Sequence, residues 1–240
     1  MVLPIREQPS FVSAALARGF AVISEKPIAP DFGRAQTLLA TAASLPKEGP
    51  GGHRAVSRWF VTENWRFEDS FRVAAEARRL GAIGDVVAFS ATSLAEIPEG
   101  NAMVSPGSWR VSEAGNWVVD TGVHMAAALR LVLGGDVTVH GVAARRMRPE
   151  LRPFDTFSAA LAAGGHLGVG APGTWLFSLA SPSRAVPREV PGLSDMELLV
   201  VGTNGSLTVT RARAELRDRD GRPLGAPQRS FDGPSVANAL

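Results

Sequence analysis

A chain of 240 residues is enough for one large domain or two modest ones, each with a real hydrophobic core. Hydrophobic residues make up 45% and charged residues 20%, an ordinary globular balance, and the formal net charge is only +2. With no cysteine and no tyrosine, disulfides, thiol catalysis, cysteine-based metal sites and tyrosine-acid reductases are excluded.

In chain order, residues 9–18 read as a short helix with Phe11, Val12, Ala15 and Leu16 on one side and Gly19 as its stop. Residues 20–24 form a compact apolar strand, and Lys26-Pro27 lies where it ends. Asp31 can cap a second helix with Ala35, Leu38, Leu39 and Ala42 as apolar positions. A Pro/Gly loop at 46–52 leads to a further strand at 58–62. This alternation predicts parallel α/β units. Residues 67–80 read as a helix, with Phe71, Ala74, Ala77 and Leu80 at three-residue spacing and Gly81 closing it.

The texture then changes. Strands are expected at 86–93, 137–144, 156–162, 166–169, 174–180, 197–201 and 207–211, with Asn204-Gly205 as a hairpin signal between the last two. One long helix, about 120–133, interrupts the series before Gly134-Gly135. The pattern predicts a partial Rossmann-like parallel α/β unit over residues 1–64, then an α+β domain over 65–240: a largely antiparallel open sheet with helices on one face.

Only Lys26 and Lys47 among the 25 basic residues are lysine. Arginine stays charged, whereas a partly buried lysine can change its charge state, so a lysine kept at a strand end is noteworthy. On the long helix, Asp120 and His124 are four positions apart and share a face, and Gly122 between them lets something approach closely. Plainer readings exist for each: a loop lysine, a helix-capping aspartate, a satisfied core histidine. The arginines are scattered, which argues against a nucleic-acid surface. The local runs Arg145-Arg146-Met147-Arg148 and Arg211-Ala212-Arg213 read as solvated strand ends. No apolar run nears the roughly 18 residues of a membrane span, so a cytoplasmic location is expected. His53, His140 and His166 have no metal-ligand spacing, and no metal site is expected.

Several segments in order carry a family resemblance. They are Leu3-Pro4-Ile5, Ala14-Ala15-Leu16, Gly19, Ser24-Glu25-Lys26-Pro27-Ile28-Ala29 and Glu63-Asn64-Trp65-Arg66-Phe67. Next come Gly81-Ala82-Ile83-Gly84, Trp109-Arg110, Asp120-Thr121-Gly122-Val123-His124 and Val201-Gly202-Thr203-Asn204-Gly205-Ser206-Leu207. The chain closely resembles the Gfo/Idh/MocA family of glucose–fructose oxidoreductase and inositol dehydrogenase. The resemblance implies a two-domain oxidoreductase using NAD or NADP, a small sugar-like or cyclic polyol substrate, and a homo-oligomer paired through the open sheet. It implies His124 as general acid/base, Lys26 polarising or anchoring the hydroxyl, and Asp120 orienting the substrate or the other two groups. Leu3, Pro4, Glu25, Lys26, Asn64, Trp109 and Arg110 match positions near the cofactor.

The sequence also departs from the family. Glu113-Ala114-Gly115-Asn116 stands where many members have two or three glycines, and Ala127 where sugar-acting members carry an aspartate, so substrate contacts are expected to differ. The resemblance starts part-way through the nucleotide domain, after the strand and glycine turn that hold the pyrophosphate, and residues 231–240 stop where relatives continue. The expectation is a truncated chain with an incomplete cofactor half, an exposed sheet edge, and poor solubility or a need for association. A non-catalytic sugar- or nucleotide-binding regulator, or an inactive truncated product, is the alternative. Gly168-Val169-Gly170-Ala171-Pro172-Gly173 matches the dinucleotide fingerprint literally, but Pro172 and the strand-like Thr174-Trp175-Leu176-Phe177 follow where a helix N-terminus is needed.

Overall fold

A computed structural model describes residues 3–45, 58–98, 100–101, 104–112, 116–164, 170–181 and 195–224. The expectations for the loop at 46–52, His53, Glu113-Ala114-Gly115, the strand at 166–169 and residues 231–240 lie outside that set.

The first elements alternate helix and strand. Helix α1 (Gln8–Ala17) accepts Pro9 in its first turn, where a missing N–H costs no bond, and Gly19 stops it with a φ of 83°. Strand β1 (Val22–Ser24) pairs in parallel with β2 (Trp59–Val61), and Trp59 Nε1 donates to Ser24 Oγ at 2.9 Å across the pair. Helix α2 (Phe32–Ser44) runs between them, capped as expected by Asp31, whose carboxylate accepts from Arg34 N at 2.8 Å. Val12, Leu16, Val22, Leu38 and Ala42 form a small core on one side of this sheet. On the other side Ile23 is 61% exposed and its register partner Phe60 49%.

The helix expected over 67–80 is present over residues 69–79, with a short 3-10 turn before it. A 3-10 helix (Asn64–Phe67) ends at Glu68, whose backbone is extended, and α3 (Asp69–Arg79) follows. Glu68 makes no side-chain cap because its carboxylate is taken by Arg211. The helix therefore starts two residues later than the apolar spacing suggests.

Eight strands form the large sheet: β3 (Val86–Leu94), β4 (Val137–Arg145), β5 (Thr156–Ala163), β6 (Ala171–Ser178), β7 (Asp195–Gly202), β8 (Gly205–Val209), β9 (Ala214–Asp218) and β10 (Pro223–Leu224). Their order is β10-β9-β8-β7-β3-β6-β5-β4, and every neighbouring pair is antiparallel except β3 with β6. Helices α3 and α5 (Asn116–Leu133) cover one face, where Phe71, Trp117, Met125 and Leu129 pack among Phe89, Phe157, Phe177 and Leu198. Ser90, Ser158, Thr174 and Leu176 alternate with these residues and stay exposed on the other face. This is the expected open sheet with helices on one side. Among the described residues no helix is long and apolar enough to cross a membrane.

Four described elements were not foreseen: β9, β10, the 3-10 helix at Asn64–Phe67 and a short helix α4 (Trp109–Ser112). Strand β6 begins three residues earlier than expected and takes in Pro172 and Gly173, so the glycine run leads into a strand. The hairpin between β7 and β8 exists, but its cause differs from the Asn-Gly turn rule. No residue of that turn has a positive φ. A Cβ on Gly205 would lie 2.3 Å from the Arg217 carbonyl oxygen, so glycine is required by the approach of β9.

Candidate active site

The two segments singled out from the sequence meet in space. Strand β1 delivers Lys26 at its carboxyl end, and Lys26 Nζ donates to Asp120 Oδ1 and to the Asp120 backbone carbonyl, both at 2.8 Å. Arg110, on α4, donates its Nε to Asp120 Oδ2 at 2.8 Å, with its guanidinium 4.2 Å from the centroid of the Trp109 ring. One buried carboxylate therefore holds two cations. Burial acts to raise the Asp120 pKa, but the charges and hydrogen bonds of Lys26 and Arg110 together outweigh it and hold the pKa below its ordinary value. Asp120 thus stays ionised between them. Helix α5 starts at Asn116, so Asp120 lies in its second turn and does not cap it. Fully buried Trp117 anchors the turn before, and Thr121 Oγ1 donates back to the Trp117 carbonyl at 2.6 Å.

His124, one turn further along α5, has a different partner. Its Nδ1 lies 2.8 Å from Glu63 Oε1, just past the end of β2. The same Oε1 accepts the Trp65 backbone N–H at 3.0 Å, and the Trp65 ring stacks on the imidazole with centroids 5.2 Å apart and planes 19° from parallel. Arg211 lies 5.1 Å over the Trp65 ring and pairs through its guanidinium with Glu68. Its side chain is only 15% exposed, so it is not the solvated strand end expected from the sequence. Arg148 corrects the other basic run: it is half-buried, donating to the Ile97 carbonyl and to Glu150, while Arg145 and Arg146 are exposed as expected.

Glu63 and Trp65 figured in the sequence only as flanks of a matching segment; no local pattern marks a carboxylate whose partner is 61 positions away. Gly122 does permit a close approach, and the neighbour is internal: a Cβ there would lie 3.3 Å from Trp175 Cη2 of β6. Of the residues matched to cofactor positions, Lys26 and Arg110 join on Asp120, Trp109 lies under Arg110, and Asn64 follows Glu63 at the start of the 3-10 helix. The Glu25 carboxylate turns back to accept the Lys26 backbone N–H at 3.3 Å. Leu3 and Pro4 lie half-buried before α1, where Pro4 accepts the Glu7 N–H at 2.9 Å; no described hydrogen bond links them to Asp120 or His124. His140 is exposed on β4. Among the described residues no group of three or more His, Asp or Glu side chains is placed to hold a metal ion.

Both clusters sit on one helix, at the carboxyl ends of two parallel strands. Known proteins share this arrangement of chain. The profile of the GFO/IDH/MocA C-terminal domain matches residues 71–208, more than half of the sequence. The chain belongs to the Gfo/Idh/MocA family. Over 157 residues it is 31% identical to Dehydrogenase FPY6 of Fusarium mangiferae, a stretch covering 63% of this chain and 42% of that protein. Over 135 residues it is 31% identical to the uncharacterized protein YMR315W of Saccharomyces cerevisiae, covering 55% of this chain and 35% of that one. The chain thus aligns with less than half the length of these curated relatives. Among solved structures it superposes on an oxidoreductase of Thermotoga maritima with a TM-score of 0.72 at 25% identity, over 95% of this chain and 61% of that one. An inositol dehydrogenase homolog of Azotobacter vinelandii, complexed with NADH and myo-inositol, shares the fold with a TM-score of 0.67 at 17% identity, over 97% of this chain and 56% of that one.

Proposed function

We propose that this chain is part of an NAD(P)-dependent oxidoreductase that moves a hydride between nicotinamide and the carbinol or carbonyl carbon of a sugar-like or cyclic polyol substrate. The observation that carries this reading is the contact of Lys26 with Asp120, which unites the Glu-Lys-Pro strand end with the Asp-x-Gly-x-His helix. The residues present suit a dinucleotide site: parallel α/β sheets bind ligands beyond the carboxyl ends of their strands, and Lys26 and Glu63 lie at those ends of β1 and β2. Residues 1–64 then belong to the nucleotide domain and 65–240 to a substrate-binding and oligomerisation domain. Leu3, Pro4, Glu25, Lys26, Asn64, Trp109 and Arg110 would line the cofactor, which when bound supplies the hydride acceptor or donor. The binding of NADH and myo-inositol by the Azotobacter vinelandii homolog supports this assignment.

In this reading His124 takes or returns the hydroxyl proton, the role an imidazole most often plays in acid/base catalysis. The Lys26 ammonium stabilises developing alkoxide charge, and Asp120 fixes its direction through the 2.8 Å bond. The open sheet face with Ser90, Thr174 and Leu176 is the surface through which two copies pair. The test is a titration of the purified chain with NADH and with NADPH, following nicotinamide fluorescence. Saturable binding is expected, and its absence with both would overturn the proposal. Lys26→Ala and His124→Ala are each expected to lower turnover about 100-fold or more, with dinucleotide binding kept in His124→Ala. Binding without turnover on any polyol would instead mark a non-catalytic binding protein.

A further inference from the structure

We infer that Glu63 is a positioning residue for His124: its carboxylate keeps a proton on Nδ1 and so reserves Nε2 for exchange with the substrate hydroxyl. The inference rests on the proposed acid/base role of His124 and adds the group through which that role is set. A carboxylate has only acceptors, and Glu63 Oε1 lies 2.8 Å from Nδ1, so Nδ1 must be the ring atom that carries hydrogen. Glu63 is itself immobilised. It is 6% exposed, and its Oε1 also accepts the Trp65 N–H at 3.0 Å, which ties the carboxylate to the chain just past β2. The Trp65 indole lies flat on the imidazole, 5.2 Å between centroids, and restrains rotation of the ring. One edge and one face of His124 are thus occupied by protein, yet 18% of its side chain remains exposed.

Lys26 and Arg110 are bound to Asp120, and Arg211 is bound to Glu68 on Trp65. Glu63 is the charged group in direct contact with the imidazole, and so the one that meets a change of charge on His124. When the carbinol O–H breaks, its proton would pass to Nε2, and the carbon-bound hydride would go to the dinucleotide acceptor of the proposed function. The carbinol becomes a carbonyl, and the resulting imidazolium faces a carboxylate on one edge and an aromatic ring on one face. The same pair returns the proton in the reverse direction.

The test is nitrogen NMR of the whole chain labelled at its histidine imidazoles, with His124 assigned among the four histidines by a His124→Asn variant. In its neutral form His124 is expected to show the Nδ1–H tautomer in roughly tenfold or greater excess over Nε2–H. Glu63→Leu is expected to remove that excess, and Glu63→Gln, which keeps one acceptor, to reduce it. An Nε2–H majority in the unaltered chain overturns the inference, as does an unchanged ratio in a folded Glu63→Leu. If Glu63→Leu does not fold, the unaltered chain and Glu63→Gln decide. Where turnover is measured, Glu63→Gln is expected to lower kcat by about 10–100-fold with KM nearly constant, and Glu63→Asp to recover part of the loss. The tautomer measurement needs neither cofactor nor substrate, so a failure to bind NADH counts against the proposed function alone.

Discussion

Asp120 is buried, yet it is held below its ordinary pKa because two cations meet on its two oxygens. Asp120→Asn keeps the shape, removes the charge and leaves Lys26 facing Arg110. Breaking a buried pair in this way is expected to cost about 3 kcal/mol, read from urea unfolding at neutral pH. The pH dependence follows from the sign of the shift. A depressed folded-state pKa means that the stabilisation is complete above the ordinary value of 3.8 and is lost as pH falls through the lower folded value. The stability difference between the chain and Asp120→Asn should therefore stay constant down to about pH 5 and narrow below about pH 4. A difference that persists unchanged at about pH 2 would show that the charge is not what Asp120 contributes. Lys26 and Asp120 were legible in the sequence, one by its rarity and both by the segments around them. Glu63 was not, because its role depends on a histidine that only folding brings near.

At the scale of elements, apolar spacing located most helices and strands, and their ends were decided elsewhere. Helix α5 runs one turn further back than Asp120 because Trp117 is buried there. Helix α3 starts at Asp69 and not at 67, next to Glu68, whose carboxylate Arg211 binds from far along the chain. Gly205 is the sharpest case. It was marked for turn freedom, but it is needed because β9 passes 2.3 Å from where a Cβ would be. Gly205→Ala is expected to destabilise by about 2 kcal/mol in chemical denaturation, since the obstructing atom is backbone and cannot rotate away. Gly141→Ala on β4, where nothing lies within 4 Å, should stay within about 0.5 kcal/mol. Equal effects at the two positions would refute the steric explanation.

Across the whole molecule, the described residues form two separate cores, and the two sides of the small sheet contrast. One side packs on α1 and α2; the other exposes Ile23, Phe60 and Phe67, with the two phenylalanine rings 6.1 Å apart. A contiguous apolar surface of this kind promotes association. The chain alone is expected to self-associate at micromolar concentration in sedimentation velocity and to bind a hydrophobic dye. Ile23→Ser with Phe60→Ser should weaken both. A monodisperse monomer that leaves the dye unbound would contradict this expectation.

The sequence by itself determined the family, most of the helices and strands and the open antiparallel sheet. These follow from local periodicity and from short motifs whose residues are adjacent in the chain. Only the tertiary structure decided that Asp120 is shared by Lys26 and Arg110, that His124 answers to Glu63 and Trp65, and that Arg211 is enclosed. The physical reason is one of range. Hydrophobic period acts within a turn or a strand, whereas a charge takes whichever partner the folded backbone brings within hydrogen-bond distance.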